Sequence, residues 1–400
     1  MQILDDPRLC CGCSACSQIC PQGCITMNKN SEGFLYPNIN SLSCINCKLC
    51  IKACPIINQK VKNKKPLRIF AYHADNENIR MTSSSGGAFH YFATKIIEQN
   101  GFIMGAGFNE EWKVTHQEAT SLKELENLKR SKYVQSDINN TYQRTQELLK
   151  KGEIVLFTGT PCQIAGLHSY LRKEYNNLYT IDLICHGVPS PDVFDAYSAE
   201  ISNTKSCDIN SNPLRFYKKN NKEGKKISYI NFRTKKGNNL WRLYSLELNF
   251  QNSDTHIIHD WKHDIYSKGF LDNLYLRESC YQCQFRNLTS GADITIGDFW
   301  GIEKYLTSHD DNKGTNVIII NTQKGAQLCS DMTSIHEGNL QQIIEHNISL
   351  IKSPKPHTLR NFFFQNYKKK GMIFTTLVCI QRSKTAMLLR KYFNIKNKFL

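Results

Sequence analysis

The chain has 400 residues and a mass of 46.0 kDa, too long for one small module and enough for about two to four domains at ~100–200 residues each. With 40% hydrophobic and 22% charged residues, 22 Gly and 11 Pro, it is neither collagen-like nor disordered by composition. The formal net charge of +16 suggests a nucleic-acid or membrane binder, but 12 Lys or Arg and no acid fall between His346 and Leu400, so the other 345 residues carry only +4. The body is therefore not strongly basic, and a nucleic-acid partner is not expected. Met372–Ile380, the longest apolar-leaning stretch, falls well short of the ~20 residues a membrane helix needs. The polar start Met1–Arg8 has two Asp and does not read as a signal peptide, so the expected location is the cytoplasm.

Seventeen cysteines in such a chain point to metal, redox chemistry or burial rather than to a disulfide framework. Ten of them lie in the first 54 residues. Cys10, Cys13, Cys16 and Cys20-Pro21 spell C-x2-C-x2-C-x3-C-P, and Cys44, Cys47, Cys50 and Cys54-Pro55 spell it again 34 residues later. Three thiolates at this spacing wrap one face of a cubane, while the fourth, beyond a turn fixed by proline, reaches the neighbouring cluster. The expected ligand sets are crossed. Cys10, Cys13, Cys16 and Cys54 take one [4Fe-4S] cluster, and Cys44, Cys47, Cys50 and Cys20 the other. Paired zinc sites are the alternative, but zinc motifs join two C-x2-C knuckles rather than repeat a three-plus-one pattern closed by proline. Cys11 and Cys24 are left over and read as packed or solvent-facing thiols. Leu9–Ile57 resembles a bacterial-type two-cluster ferredoxin module, which sets a first domain at 1–58.

Residues 59–67 are basic, polar and closed by Pro66, as expected of a linker. A strand signal follows at Ile69–Tyr72, and then Ser83-Ser84-Ser85-Gly86-Gly87 runs into the helical pattern Ala88–Ile97. Serine and glycine at a helix start gather N–H and O–H donors, which more often make a plain cap than an anion site. The buried-strand patterns Ile154–Thr158 and Tyr179–Ile184 each end in a loop that delivers a cysteine, Cys162 and Cys185. The C-terminal edge of an open α/β sheet is where ligands bind. Cys280 and Cys283 form a further C-x2-C, and four thiols is the number a third [4Fe-4S] cluster requires. The competing readings for these four are a zinc knuckle or a redox-active dithiol. Cys207, Cys329 and Cys379 stand alone and read as buried or incidental thiols.

Taken in order, the two-cluster start, Ser84–Gly87, Ser131-Lys132-Tyr133-Val134-Gln135-Ser136, Gly159-Thr160-Pro161-Cys162-Gln163, Asp182–Ser190, the Cys280/Cys283 pair and Ala292–Gly301 resemble the family of coenzyme F-420 hydrogenase/dehydrogenase beta subunits. The resemblance runs from about Leu9 to Phe363. It implies an iron–sulfur flavoprotein that binds FAD and moves electrons between clusters and an organic substrate or a deazaflavin-type coenzyme. It also implies FAD contacts at Ser84, Ser85, Gly86, Gly87, Gln135, Thr158, Gly159, Thr160 and Asp298. Lys132 is the candidate catalytic cation beside the flavin ring, and His186 a candidate proton carrier. A dinucleotide fingerprint G-x-G-x-x-G is absent from the sequence, so electrons are expected from a protein, either a ferredoxin or a partner subunit. The alternative is an electron-carrier subunit without flavin.

The expected fold is α+β, a ferredoxin-like dicluster module followed by an α/β flavin-binding domain with a β-rich insertion. Strands are expected near Ile69, Ile103, Ile154, Thr180 and Val317, and the insertion at Pro213–Asp264 has strands at Ile227–Arg233 and Leu243–Phe250. The flavin and iron–sulfur domain is divided into an N-terminal part, 68–192, and a C-terminal part, 193–345. The last segment, 346–400, mixes aromatics with lysines at Arg360–Phe364, Lys368–Lys370 and Leu388–Phe393. It reads either as a solvated helical tail or as a peripheral membrane contact.

Overall fold

The computed structural model describes residues 2–59, 65–202, 226–236, 240–251, 256–307, 310–333, 335–380, 388 and 390. Cys207, most of the linker, the first part of the expected insertion and most of Leu388–Phe393 lie outside them.

The N-terminal module shows the sequence repeat in its backbone. Ser14 and Lys48 both adopt the left-handed conformation (φ 61°), and each starts a four-residue helix, Ala15–Gln18 or Leu49–Lys52, that carries Cys16 or Cys50. A left-handed non-glycine residue is uncommon, and here it turns the chain sharply between the second and third cysteine of each motif. Two strands, β1 (Ile25–Lys29) and β2 (Leu35–Ile39), pair antiparallel between the repeats.

The body is built on one mixed eight-stranded sheet. In chain order its strands are β3 (Arg68–Tyr72), β4 (Phe102–Phe108), β5 (Val114–Ala119), β6 (Val155–Thr158) and β7 (Leu178–Leu183), with three more after the insertion. The insertion contributes β8 (Ile227–Thr234), β9 (Ser245–Phe250) and β10 (His256–Asp260) as a separate antiparallel sheet, and β11 (Ile294–Asp298), β12 (Asn316–Ile320) and β13 (Ile335–Glu337) then complete the large one. Its order is β13-β3-β12-β11-β7-β6-β4-β5. The four strands β4, β6, β7 and β11 are parallel to their neighbours in this group, and antiparallel strands flank them on both sides. Every residue of β12, Asn316-Val-Ile-Ile-Ile320, is buried, as expected of a strand covered on both faces. The five expected strands form, and so does the β-rich insertion. Residues 68–192 and 193–345 share the large sheet, because β11 is inserted between β7 and β12.

The C-terminal segment departs from expectation. Helix Arg360–Lys370 turns Phe363 and Tyr367 into the core, with their rings stacked 5.1 Å apart, and Met372–Cys379 of the next helix are all buried. Phe363 and Tyr367 are thus interior side chains, Phe362 and Phe364 are half-buried, and the lysines Lys368 and Lys369 face outward. Among the described residues no helix is long and apolar enough to cross a membrane.

The N-terminal module is fastened to the body. Arg360 forms a bidentate pair with Glu32 (2.6 and 2.7 Å), and Lys29 pairs with Asp192 (2.7 Å). Gln18 accepts from the N–H groups of Tyr142 and Gln143 at a helix start. Arg277, fully buried, donates to Cys10 O (2.7 Å), Leu35 O (2.9 Å) and Gln135 Oε1 (3.0 Å), and lies over the Tyr36 ring.

Candidate iron–sulfur and flavin site

Three cavities lined with cysteine occupy the module and its junction with the body. The outermost, about 340 Å3, is lined by Cys20, Cys44, Cys47 and Cys50 together with Cys24. The next, about 930 Å3, is lined by Cys10, Cys13, Cys16 and Cys54 together with Cys11. The crossed sets expected from the spacing are the sets the backbone brings together. The two left-over thiols are packed rather than solvent-facing. Cys24 lies with its Sγ 3.3 Å from that of Cys20, and Cys11 is as deeply buried as Cys13.

The third cavity, about 730 Å3, lies between the module and the C-terminal ends of β6 and β7. Cys162, Cys185, Cys280 and Cys283 all line it, from three separate places in the chain. Cys162 enters from the first turn of helix Pro161–Leu171, whose start is fixed by a capping box between Thr160 and Gln163. Cys185 comes directly after β7, and Cys280 lies in the short helix Glu278–Gln282, with Cys283 at its end. Arg286 orders this loop by donating to the carbonyls of Cys185, His186 and Ser349. The Cys162 thiol is raised well above the ordinary range by its hydrogen bond with Cys11 and by burial, and burial, with the neighbouring thiols Cys162 and Cys283, pushes Cys280 up to about 12. Four thiols so placed stay protonated unless a cation compensates their charge, and iron supplies that compensation by binding thiolate.

Cys11 joins the second and third cavities, since it lines both and its thiol hydrogen-bonds with those of Cys13 and Cys162. The same helix face supplies Gly166, one turn beyond Cys162. A Cβ there would lie 2.8 Å from Cys13 Cβ and 3.0 Å from its Sγ, so the helix meets the module where only glycine fits. The helix thus presses one turn against a ligand-set cysteine of the module while the preceding turn lines the third cavity. Arg277 lines the third cavity as well. Among the described residues no carboxylate stands within ion-pair distance of it, and its fork is held by carbonyl oxygens and one amide. Nothing in the sequence marks Arg277 except its position three residues before Cys280.

Asp182 of β7 also lines this cavity. Burial raises its pKa to about 7, although Ser290 Oγ donates to Oδ2 at 2.6 Å. The native carboxyl binds its proton more tightly than the unfolded one. Its contribution to stability is therefore complete below about pH 4 and is lost as pH rises through 7. Asp182→Asn is expected to stabilise the chain by on the order of 4 kcal/mol at pH 8 and to change little at pH 4; urea midpoints at both pH values check this. Equal midpoint shifts at the two pH values would show that the carboxyl does not titrate this way.

The residues implied for FAD fall in two groups. Ser84 Oγ accepts from Ser131 N (2.8 Å), which ties the serine loop to the Lys132 segment. Lys132 Nζ donates to Asn127 O and Lys129 O, and burial holds its pKa well below the usual lysine range. Near it, the His116 ring meets Thr158 O (3.0 Å), and burial lowers its pKa to about 4, so this ring is neutral at the end of β6. Cations gather around the loop, where Lys235 Nζ donates to the carbonyls of Arg80, Ser85 and Lys313, and Arg80 pairs with Asp311. The others have partners within the protein. Ser85 Oγ donates to Thr315 O, and a Cβ on Gly86 would collide with Tyr72 O. Gly87 is left-handed (φ 98°) at the helix start. Gln135 donates to Cys11 O and accepts from Arg277. Thr158 Oγ1 donates to Met104 O, Gly159 N to Ile181 O, and Thr160 caps its helix. Asp298 pairs with Arg233 and accepts from Trp241 Nε1 at 2.7 Å. The His186 ring meets Asn273 Oδ1 (2.7 Å) and the edge of Phe270.

Residues 152–345 match the family described as the C terminus of the coenzyme F420 hydrogenase/dehydrogenase beta subunit, and residues 9–57 match the 4Fe-4S dicluster domain. Among curated proteins, the chain is 24% identical over 189 residues to a subunit of the F(420)H(2) dehydrogenase of Methanosarcina mazei, covering 44% of this chain and 53% of that one. The match thus spans about half the length of that relative. An uncharacterized ferredoxin of Methanocaldococcus jannaschii is 35% identical over 68 residues, which are 16% of this chain and 87% of the ferredoxin. Among solved structures, a chain of the F420-reducing [NiFe] hydrogenase complex from Methanosarcina barkeri aligns at 14% identity with a TM-score of 0.44, over 83% of this chain and 94% of that one.

Proposed function

From the premise that the chain belongs to the family of coenzyme F420 hydrogenase/dehydrogenase beta subunits and carries a 4Fe-4S dicluster domain at its N terminus, we propose an iron–sulfur flavoprotein oxidoreductase. It passes electrons between a protein partner and an organic substrate or deazaflavin-type coenzyme. The observation that carries this reading is the set of three cysteine-lined cavities, the second and third of which share Cys11. In it, Cys44, Cys47, Cys50 and Cys20 hold the outer cluster, Cys10, Cys13, Cys16 and Cys54 the middle one, and Cys162, Cys185, Cys280 and Cys283 a third.

The residues around the loop Ser83–Gly87 fit the anionic part of FAD. Ser84, the start of helix Ala88–Ile97 and Lys132 would hold it, with Lys235 fixing the loop through Ser85 O. When bound, FAD supplies a two-electron carrier that can exchange single electrons with clusters. Lys132 places an ammonium whose neutral form is favoured by burial, so anionic charge beside it restores the proton at Nζ. Gln135 and Arg277 fix the backbone at Cys10 and Cys11, which keeps the middle cavity in register with the third.

One observation favours an electron-carrier subunit without flavin as the second reading: Ser85, Gln135, Thr160 and Asp298 are all occupied by internal hydrogen bonds or ion pairs. Iron, zinc, sulfide and heat-released flavin, measured per chain on anaerobically purified protein, decide between them. The oxidoreductase requires about twelve irons and FAD, and the carrier about eight to twelve irons with no flavin. Stoichiometric zinc would remove both.

A further inference from the structure

We propose that the outer face of the N-terminal module, around Cys47, is the docking surface for a small acidic one-electron carrier protein. This rests on the cluster reading above and adds to it where electrons cross the surface and what kind of partner brings or takes them.

The first observation is position. Cys47 is the one exposed cysteine among those described, and the cavity it lines with Cys20, Cys44 and Cys50 is walled by module residues alone. The second is shape and polarity. The loop that carries Cys44 and Cys47 exposes two large apolar side chains, Leu42 at 96% and Ile45 at 61%, and Leu42 is the most exposed large hydrophobic residue among those described. Apolar side chains held out beside an otherwise polar rim are the composition of a contact patch rather than of a plain loop.

The third observation is charge, and it selects the partner. Residues 9–57 contain four charged side chains, Lys29, Glu32, Lys48 and Lys52. Lys29 and Glu32 are spent on Asp192 and Arg360 of the body. The remaining two, Lys48 and Lys52, are exposed and follow Cys47 on the outer face. No Asp or Glu occurs anywhere from Gly33 to Ala74, while Lys and Arg occur there seven times. A four-thiolate cubane carries net negative charge of roughly −2. Left alone, it would repel a carrier whose surface is acidic. Lys48 and Lys52 offset that charge and place the positive groups at the exposed surface itself, so an acidic carrier finds cationic attachment points beside Cys47 that orient it toward the cluster. In the transfer itself the carrier is oxidised by one electron and the outer cluster is reduced by one, with no bond made or broken.

The test uses the full chain, purified without oxygen and first analysed for iron. A reduced acidic plant-type [2Fe-2S] ferredoxin is mixed with it in a stopped-flow instrument, and cluster bleaching is followed at low and high salt. Wild-type bleaching is expected to slow steeply as salt rises. Lys48→Glu combined with Lys52→Glu is expected to slow it about tenfold or more at low salt and to flatten the salt dependence. Leu42→Ser combined with Ile45→Ser should also slow it while leaving the salt dependence in place. All variants should hold the wild-type iron and reach the same final bleaching with dithionite, which shows the clusters intact. Full iron with unchanged ferredoxin rates would overturn the docking surface and leave the cluster reading standing. Iron-free protein would overturn both. Binding to phosphatidylserine vesicles that depends on Lys48 and Lys52, with ferredoxin rates unaffected, would assign the face to a membrane and overturn the proposal.

Discussion

Arg277→Met is expected to loosen the N-terminal module from the body and to cost about 4 kcal/mol or more of stability. The guanidinium satisfies Cys10 O, Leu35 O and Gln135 Oε1 at once, in a fully buried position. A methionine fills much of the volume but donates nothing, so each of three buried acceptors loses its partner at about 1–3 kcal/mol apiece. Loss of the cation over the Tyr36 ring, 4.2 Å from its centroid, adds about 0.5–2 kcal/mol. These terms overlap, yet even half their sum is a large part of a typical margin of about 5–15 kcal/mol. Arg277→Lys keeps the charge and loses the fork, and should recover only part of the loss. Urea unfolding and limited proteolysis within residues 58–67 provide the measurement. Wild-type resistance at both would mean the Glu32–Arg360 and Lys29–Asp192 pairs hold the module without Arg277.

Cys162→Ser and Cys280→Ser are each expected to lower iron from about twelve to about eight atoms per chain, removing the third cluster and leaving the two in the module. Cys11→Ser is the informative control. Cys11 touches both Cys13 and Cys162, yet it belongs to neither expected ligand set. Its serine variant should keep about twelve irons, with a changed electron paramagnetic resonance signal for interaction between the middle and third clusters. Iron analysis with resonance spectra of the reduced protein reads all three variants. Loss of four irons from Cys11→Ser would make Cys11 a ligand and displace one of the four named cysteines.

Much of this was legible before any coordinates because cysteine spacing is a local signal. The repeat predicts the crossed sets, and the backbone repeats itself at Ser14 and Lys48 to match. Strands that alternate with helices, such as Ile154–Thr158 and Tyr179–Ile184, carry their own hydrophobic pattern, and their ends bring Cys162 and Cys185 to one sheet edge. What failed to show was long-range. Asp298, implied as a flavin contact, closes β11 and meets Arg233. In the tail, the dense lysines hid a buried stripe at Phe363 and Tyr367. Arg277 could not be found from sequence, since its partners are mainly backbone carbonyls, which every residue has. The serine–glycine loop shows the limit of motif reading. Gly86 is required by the close approach of Tyr72 O, a packing reason that the motif alone does not reveal.

The Glu32–Arg360 pair joins residues 328 positions apart. On the ribosome, the cysteine-rich module emerges before Arg360 and has to wait for the partner that fastens it. At about 5–20 residues per second, that wait is roughly 16–66 s. During it, ten cysteines stand exposed to oxidants and stray metals, without the body that later covers Cys11, Cys13 and Cys54. Cluster delivery to the two outer sites can take place during synthesis. The third cavity, whose walls join Leu9, Cys11 and Ile56 of the module to residues from Pro161 to Leu350, is assembled only after synthesis has passed Leu350. The walls of the two module cavities therefore exist before those of the third, an order set by where in the chain each wall is encoded.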